Sequence, residues 1–152
     1  MRYEATKSIP VFLMVLACVQ GASFGTSDKP VSQFTGTWEG RTNGQPAVEI
    51  TLTANGGRIA GTIAFYFQML GKDGKWHVEG QAFRQPLIAP HVDGNAVTFE
   101  VLHYQKHGGS ELGPNKTYRL EVKGVDEAQF IKSGNEANSQ RRPLKLRRRP
   151  SQ

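Results

Sequence analysis

The chain has 152 residues, one cysteine, 19 Lys and Arg against 13 Asp and Glu, and a net charge of +6, a length that holds one folded core and not two. The charge belongs to one end: Arg141, Arg142, Lys145, Arg147, Arg148 and Arg149 are six of the 19 basic residues, while positions 29–140 carry 11 residues of each sign. A neutral body without an RNA-binding aromatic motif argues against a nucleic-acid partner, so the high isoelectric point describes the tail and not the fold.

At the N-terminal end, Met1 to Lys7 carries Arg2 and Lys7, Ile9 to Val19 is an apolar run, and Gly21-Ala22-Ser23 supplies small residues. A charged start, an apolar stretch and a small-residue exit are the parts of a secretory signal. Residues 1–22 therefore predict a signal peptide, and the polar residues 23–33 a linker. The apolar run is shorter than the roughly 20 residues that span a bilayer. Export is the expectation, to the periplasm, the cell envelope or the medium. Val15-Leu16-Ala17-Cys18 resembles a bacterial lipobox, which implies an acylated Cys18 as a membrane anchor. The other reading discards Cys18 with the signal. On either reading the folded part has no cysteine and no disulfide.

From Phe34 onward the hydrophobic pattern has period two. Val48, Ile50 and Leu52 alternate with Glu49, Thr51 and Thr53, and Asn55-Gly56-Gly57 follows as a turn. Ile59 to Leu70 is a β-branched and aromatic run with Ile59, Gly61, Ile63 and Phe65 on one face, broken by Gly71-Lys72-Asp73-Gly74. Trp76, Val78 and Gly80, then Val97, Phe99 and Val101, then Tyr118, Leu120 and Val122 repeat the alternation. Ala128, Phe130, Leu144 and Leu146 complete the apolar set. Gly61 and Gly80, inside strands, mark bends. No segment past the signal offers a helical stripe. Short strands with turns every 8–12 residues predict an all-β domain over 34–149: a single antiparallel up-and-down β-barrel of roughly eight strands, with a β-sandwich as the alternative and 150–152 as a tail.

Gly36-Thr37-Trp38-Glu39-Gly40 favours the barrel. This G-x-W opening resembles the first strand of lipocalins and avidins, which implies that Trp38 closes one end and that a basic residue of the last strand, Arg147 or Arg148, lies over its ring. A second resemblance is to small exported bacterial domains of unknown activity that read G-x-W-x-G, G-x-[IL]-x-G-T, D-G-N-x-V-x-F and P-L-x-L-x-R. Here these are Gly36 to Gly40, Gly57 to Thr62, Asp93 to Phe99 and Pro143 to Arg147. They reinforce the fold and imply no activity.

The residues able to carry chemistry are few. Of the four histidines, at 77, 91, 103 and 107, His103 continues the inward parity of Val97, Phe99 and Val101. Its spacing to His107 suits a helix face, so no zinc site is expected. No serine lies in a G-x-S-x-G elbow and no nucleophile–base–acid trio is marked, so no catalytic residue, metal or cofactor is predicted. Glu49, Glu79, Glu100 and Glu121 fall on the outward parity and are expected to be solvated and paired with Lys and Arg. Most of the aromatic set Phe65, Tyr66, Phe67, Trp76, Phe83, Phe99 and Tyr104 is expected in the core. Phe65, Phe67, Phe99, Tyr104 and His103 are the candidates for lining a pocket, since a barrel of about eight strands holds either packed side chains or one small ligand. The function expected is that of an exported non-catalytic barrel binding a small apolar ligand or an envelope partner. The alternative is an enzyme or enzyme inhibitor working through the rim loop from His103 to Glu111.

Overall fold

Two-residue turns that demand positive φ set the strand lengths. Asn43 and Gly44, at φ 54° and 76°, and Gly56 and Gly57, at 57° and 77°, are of the kind whose twist matches that of a right-twisted hairpin. They join β1 (Gly36–Thr42), β2 (Gln45–Asn55) and β3 (Arg58–Leu70). The computed structural model describes residues 31–104, 112–133 and 142–150, with only the backbone of His103, Tyr104 and Leu112. The signal segment with Cys18, linker residues 23–30, the rim residues His107 and Glu111, Arg141 and residues 151–152 lie outside the described residues.

The remaining strands are β4 (Trp76–Pro86), β5 (Ile88–Asp93), β6 (Ala96–Tyr104), β7 (Leu112–Val122), β8 (Glu127–Ser133) and β9 (Leu144–Arg148). All nine lie in one antiparallel sheet of order β4-β3-β2-β1-β9-β8-β7-β6-β5. The described chain is therefore all-β and up-and-down, and the sheet curls into a barrel-like half-shell that no ladder closes. A short 3-10 turn, Val31–Phe34, precedes β1; Phe34 is fully buried and Val31 packs on the core. The folded part thus takes in residues that the sequence assigns to the linker.

Strands β4 and β5 run in the same direction and are separated by Leu87 alone. They are two halves of one extended run that changes partner, pairing first with β3 and then with β6. At the change, the Leu87 amide donates to the Gly61 carbonyl at 3.0 Å and Ala89 takes φ 46°, a region rarely adopted by a residue with a side chain. Counting this run as one strand returns the expected eight. Because each half pairs on one side only, the shell stays open along β4.

The concave face holds the core. Trp38, Ile50, Ile63, Val97, Leu120 and Leu146 are at most 1% exposed, and the register places each opposite another core side chain: Trp38 against Ile50, Ile50 against Ile63, Val97 against Leu120. The floor is built around Trp38. Its indole N–H donates to the Phe34 carbonyl at 2.8 Å, and the guanidinium carbon of Arg148 lies 4.5 Å from the ring centroid. Arg148 also donates to the Gln33 carbonyl, so one side chain ties the last strand, the first strand and the 3-10 turn together. The residue over Trp38 is Arg148; Arg147, the other candidate, is exposed on the convex side opposite Glu39. Parity decides this, because Trp38 faces inward and its cross-strand partner on β9 is Arg148.

Candidate ligand-binding face

Strand pairing gathers aromatic residues that are far apart in sequence. Val48 pairs Phe65, Phe65 pairs Phe83, Phe99 pairs Tyr118, and Tyr118 pairs Lys132 next to Phe130. The result is a ring cluster on the concave side. Tyr118 stacks on Phe130 at 5.0 Å between centroids, Phe99 lies 6.2 Å from Tyr118 and 6.4 Å from Phe130, and Phe65 lies 5.9 Å from Tyr118. Such spacings add about 0.5–1.5 kcal/mol per pair beyond simple burial.

The cluster grades from buried to open toward the unpaired edge of β4. Phe99 is 1% exposed, so it is part of the floor of this face and not its surface. Phe65 and Tyr118 are half-buried and flank the core. Beyond them, on the same strand parity, Phe67 is 57% exposed, Phe83 41% and Met69 54%. The aromatic set is therefore less buried than its composition suggests: Trp76 is also exposed, Tyr66 is half-buried, and the core takes Phe34, Trp38 and Phe130 instead. The physical reason is the long β3–β4 hairpin, which continues past the point where β2 supplies a neighbour, with β4 as an edge strand. A register shift between Phe65 and Phe67, opposite Gly80 at φ 69°, lets the hairpin bend there.

Of the residues singled out from sequence, Phe65, Phe67 and Phe99 fall on the concave side, at three depths. The backbones of His103 and Tyr104 pair with Gly113 and Leu112 at the far end of β6, and their side chains lie outside the described residues. Sequence reasoning did not mark Phe83, Met69 or Tyr118 as candidates. Tyr118 shares the parity of Leu120 and Val122, but only the β6–β7 register shows that it faces Phe99.

The convex side is ionic. Glu49, expected to be solvated, is 7% exposed, held between Arg84 at 2.7 Å and Arg149 at 3.0 Å. Three neighbouring strands and the C-terminal end converge over it, and the arginines cover it. Glu39 accepts from Arg149 at 2.7 Å and from Arg41 at 2.6 Å. The Arg149 hydrogen bond, opposed by desolvation and aided by Arg41, pulls the Glu39 carboxyl below its ordinary range and raises the Arg149 pKa. Glu121 is lowered chiefly by its hydrogen bond from Lys123, and Asp73 by His77. The Arg-rich end is thus divided: Arg148 and Arg149 are built into the shell, while Lys145 and Arg147 have no ion-pair partner among the described residues.

Two clefts lie away from the aromatic face. One of about 330 Å3 is lined by Gln33, Val122 to Val125 and Arg148 below the floor. The other, about 380 Å3, runs along the convex side between Glu39, Arg41, Lys145 and Arg147 to Pro150. Arg148 walls both and Arg149 the second, the two side chains that clamp β9 to β1, so they read as seams of the fold. Among the described residues, no group of three His, Cys, Asp or Glu could hold a metal ion, and no helix is long and apolar enough to cross a membrane. No protein-family model matches the sequence, and comparison with curated proteins and with solved structures finds no match. The concave face has to be read from its own geometry.

Proposed function

We propose that the chain is an exported, non-catalytic half-barrel that carries a small apolar molecule on its concave face. The observation that supports this is the unfinished aromatic stripe: Phe67, Met69 and Phe83 continue the inward parity of the buried cluster yet stand 57%, 54% and 41% exposed. The register sets Glu79 opposite Phe67 and His77 opposite Met69 on the same face, so the open surface is apolar along β3 and at Phe83 with two polar groups at its rim, a form that suits a binding surface. Covering about 300 Å2 of such surface contributes about 7 kcal/mol at about 25 cal/mol per Å2, before association losses. That figure is an upper bound on the binding free energy, and selectivity is set by shape. Export rests on the charged start, the apolar run and the small-residue exit of residues 1–22.

A fluorescence titration with a fatty-acid-like probe tests the reading. Saturable binding is expected, weakened at least tenfold by Phe83→Ser or Phe67→Ser and unchanged by Glu100→Gln on the convex side. Absence of saturable binding overturns it. So does binding that disappears only when Lys145 and Arg147 are neutralised, which moves the site to the basic end.

A further inference from the structure

The tip of the β3–β4 hairpin carries a composition that a ligand-binding face does not require. Leu70 and Trp76 are cross-strand partners that close the hairpin and are 58% and 39% exposed, and Met69, next to Leu70, is 54% exposed. The turn between them displays Lys72 and Lys75, both exposed. The turn itself is firmly set. The Gly71 amide donates to the Lys75 carbonyl at 2.7 Å, the Gly74 amide to the Gly71 carbonyl at 3.0 Å, and the Lys75 amide to Asp73 Oδ1 at 3.1 Å. Asp73 is further held by His77, at 3.1 Å, and the turn carries two lysines against this one carboxylate.

We infer that this hairpin tip docks on an anionic bilayer surface, with Leu70, Trp76 and Met69 entering the interfacial layer and Lys72 and Lys75 lying against the headgroups. Tryptophan and lysine together at the end of an otherwise apolar projection suit the membrane interface, where an amphipathic ring finds both of its solvents. Each lysine near an anionic surface strengthens binding about fivefold. A preformed hairpin also loses little conformational freedom on docking. The choice of a bilayer over a protein partner follows from this charge complementarity at the tip. The inference stands apart from the ligand reading, because Leu70, Trp76, Lys72 and Lys75 belong to the end of the hairpin and only Met69 is shared with the concave face.

The chain's two tryptophans make the test local, since Trp38 is fully buried under Arg148 and Trp76 is not. The full chain, as purified from its host, is mixed with phosphatidylcholine vesicles with and without phosphatidylglycerol, some carrying brominated acyl chains. The expected result is a blue shift and bromine quenching of tryptophan emission on the anionic vesicles, absent in Trp76→Phe. Lys72→Gln with Lys75→Gln is expected to weaken binding to anionic vesicles at least tenfold, with far-ultraviolet circular dichroism unchanged. Emission that is unaffected while the chain still sediments with vesicles overturns the inference, because contact is then made elsewhere. A blue shift that develops without vesicles as protein concentration rises also overturns it, assigning the tip and the open β4 edge to a second copy.

Discussion

Arg147 and Arg148 are adjacent and chemically identical, yet their environments have nothing in common. Arg148 lies over the Trp38 ring and donates to Gln33, while Arg147 points outward. A guanidinium over an indole contributes about 0.5–2 kcal/mol and a charged hydrogen bond about 1.5–3. Arg148→Ala is thus expected to lower stability by about 2–4 kcal/mol and Arg147→Ala by less than about 0.5, the usual range for a surface change. Urea unfolding of the two variants checks this; equal losses would contradict the pairing. Trp38→Ala should cost about 3–5 kcal/mol, as removal of a buried tryptophan does.

Glu39 supplies the pH dependence at the same scale. Its carboxyl is held below its ordinary value of 4.5, first by Arg149 and then by Arg41. The folded chain therefore takes up this proton less readily than the unfolded one. The stabilisation is complete above about pH 4.5 and is lost as pH falls through the lower folded value. Urea midpoints measured from about pH 6 down to about pH 3 should decline, and Glu39→Gln should flatten part of that decline. A variant with the wild-type slope would show that the Arg149 contact contributes nothing.

Among the elements, the hairpins were legible in sequence because their determinants are local. Asn55-Gly56-Gly57 and Asp93-Gly94-Asn95 announce turns, and alternation such as Val48, Ile50, Leu52 assigns the inward face. Pro86 and Pro90 mark an interruption of the ladder in the sequence, but the change of partner at Leu87 was not legible, since leaving β3 for β6 is a tertiary event. Nor was the exposure of Phe67 and Phe83, which depends on where β2 stops covering β3. The burial of Glu49 needed Arg84 and Arg149 to arrive from distant strands. Gly61, which the sequence suggests as a bend, lies in an unbroken stretch of the β2–β3 ladder, and its role is steric: a Cβ there would run into the Thr51 carbonyl oxygen. Gly61→Ala should therefore destabilise at or above the upper end of the roughly 1–3 kcal/mol typical of overpacking. Gly80→Ala has open space around it, but its φ of 69° strains a side chain by about 1–2 kcal/mol. Denaturant midpoints that rank Gly80→Ala as the more damaging would contradict the register of β2 on β3.

Across the whole molecule, two kinds of surface lie on opposite sides of one curved sheet. The convex side is a mesh of arginines and glutamates that clamps β9 to β1 and β2, and the concave side is aromatic, packed at the floor and open toward β4. Closure would have required β4 to pair on both sides, and the run that forms β4 and β5 instead divides its hydrogen bonds between two neighbours. The opening is therefore a consequence of the topology, and the exposed Phe67, Met69 and Phe83 stand at it. Native mass spectrometry of the protein isolated from its own host tests the carrier reading most directly. The account predicts a mass in excess of the bare polypeptide, released by organic solvent as a small apolar compound and lost from Phe83→Ser. A chain that arrives at the mass of its bare polypeptide, and that binds no apolar probe after isolation, would contradict it.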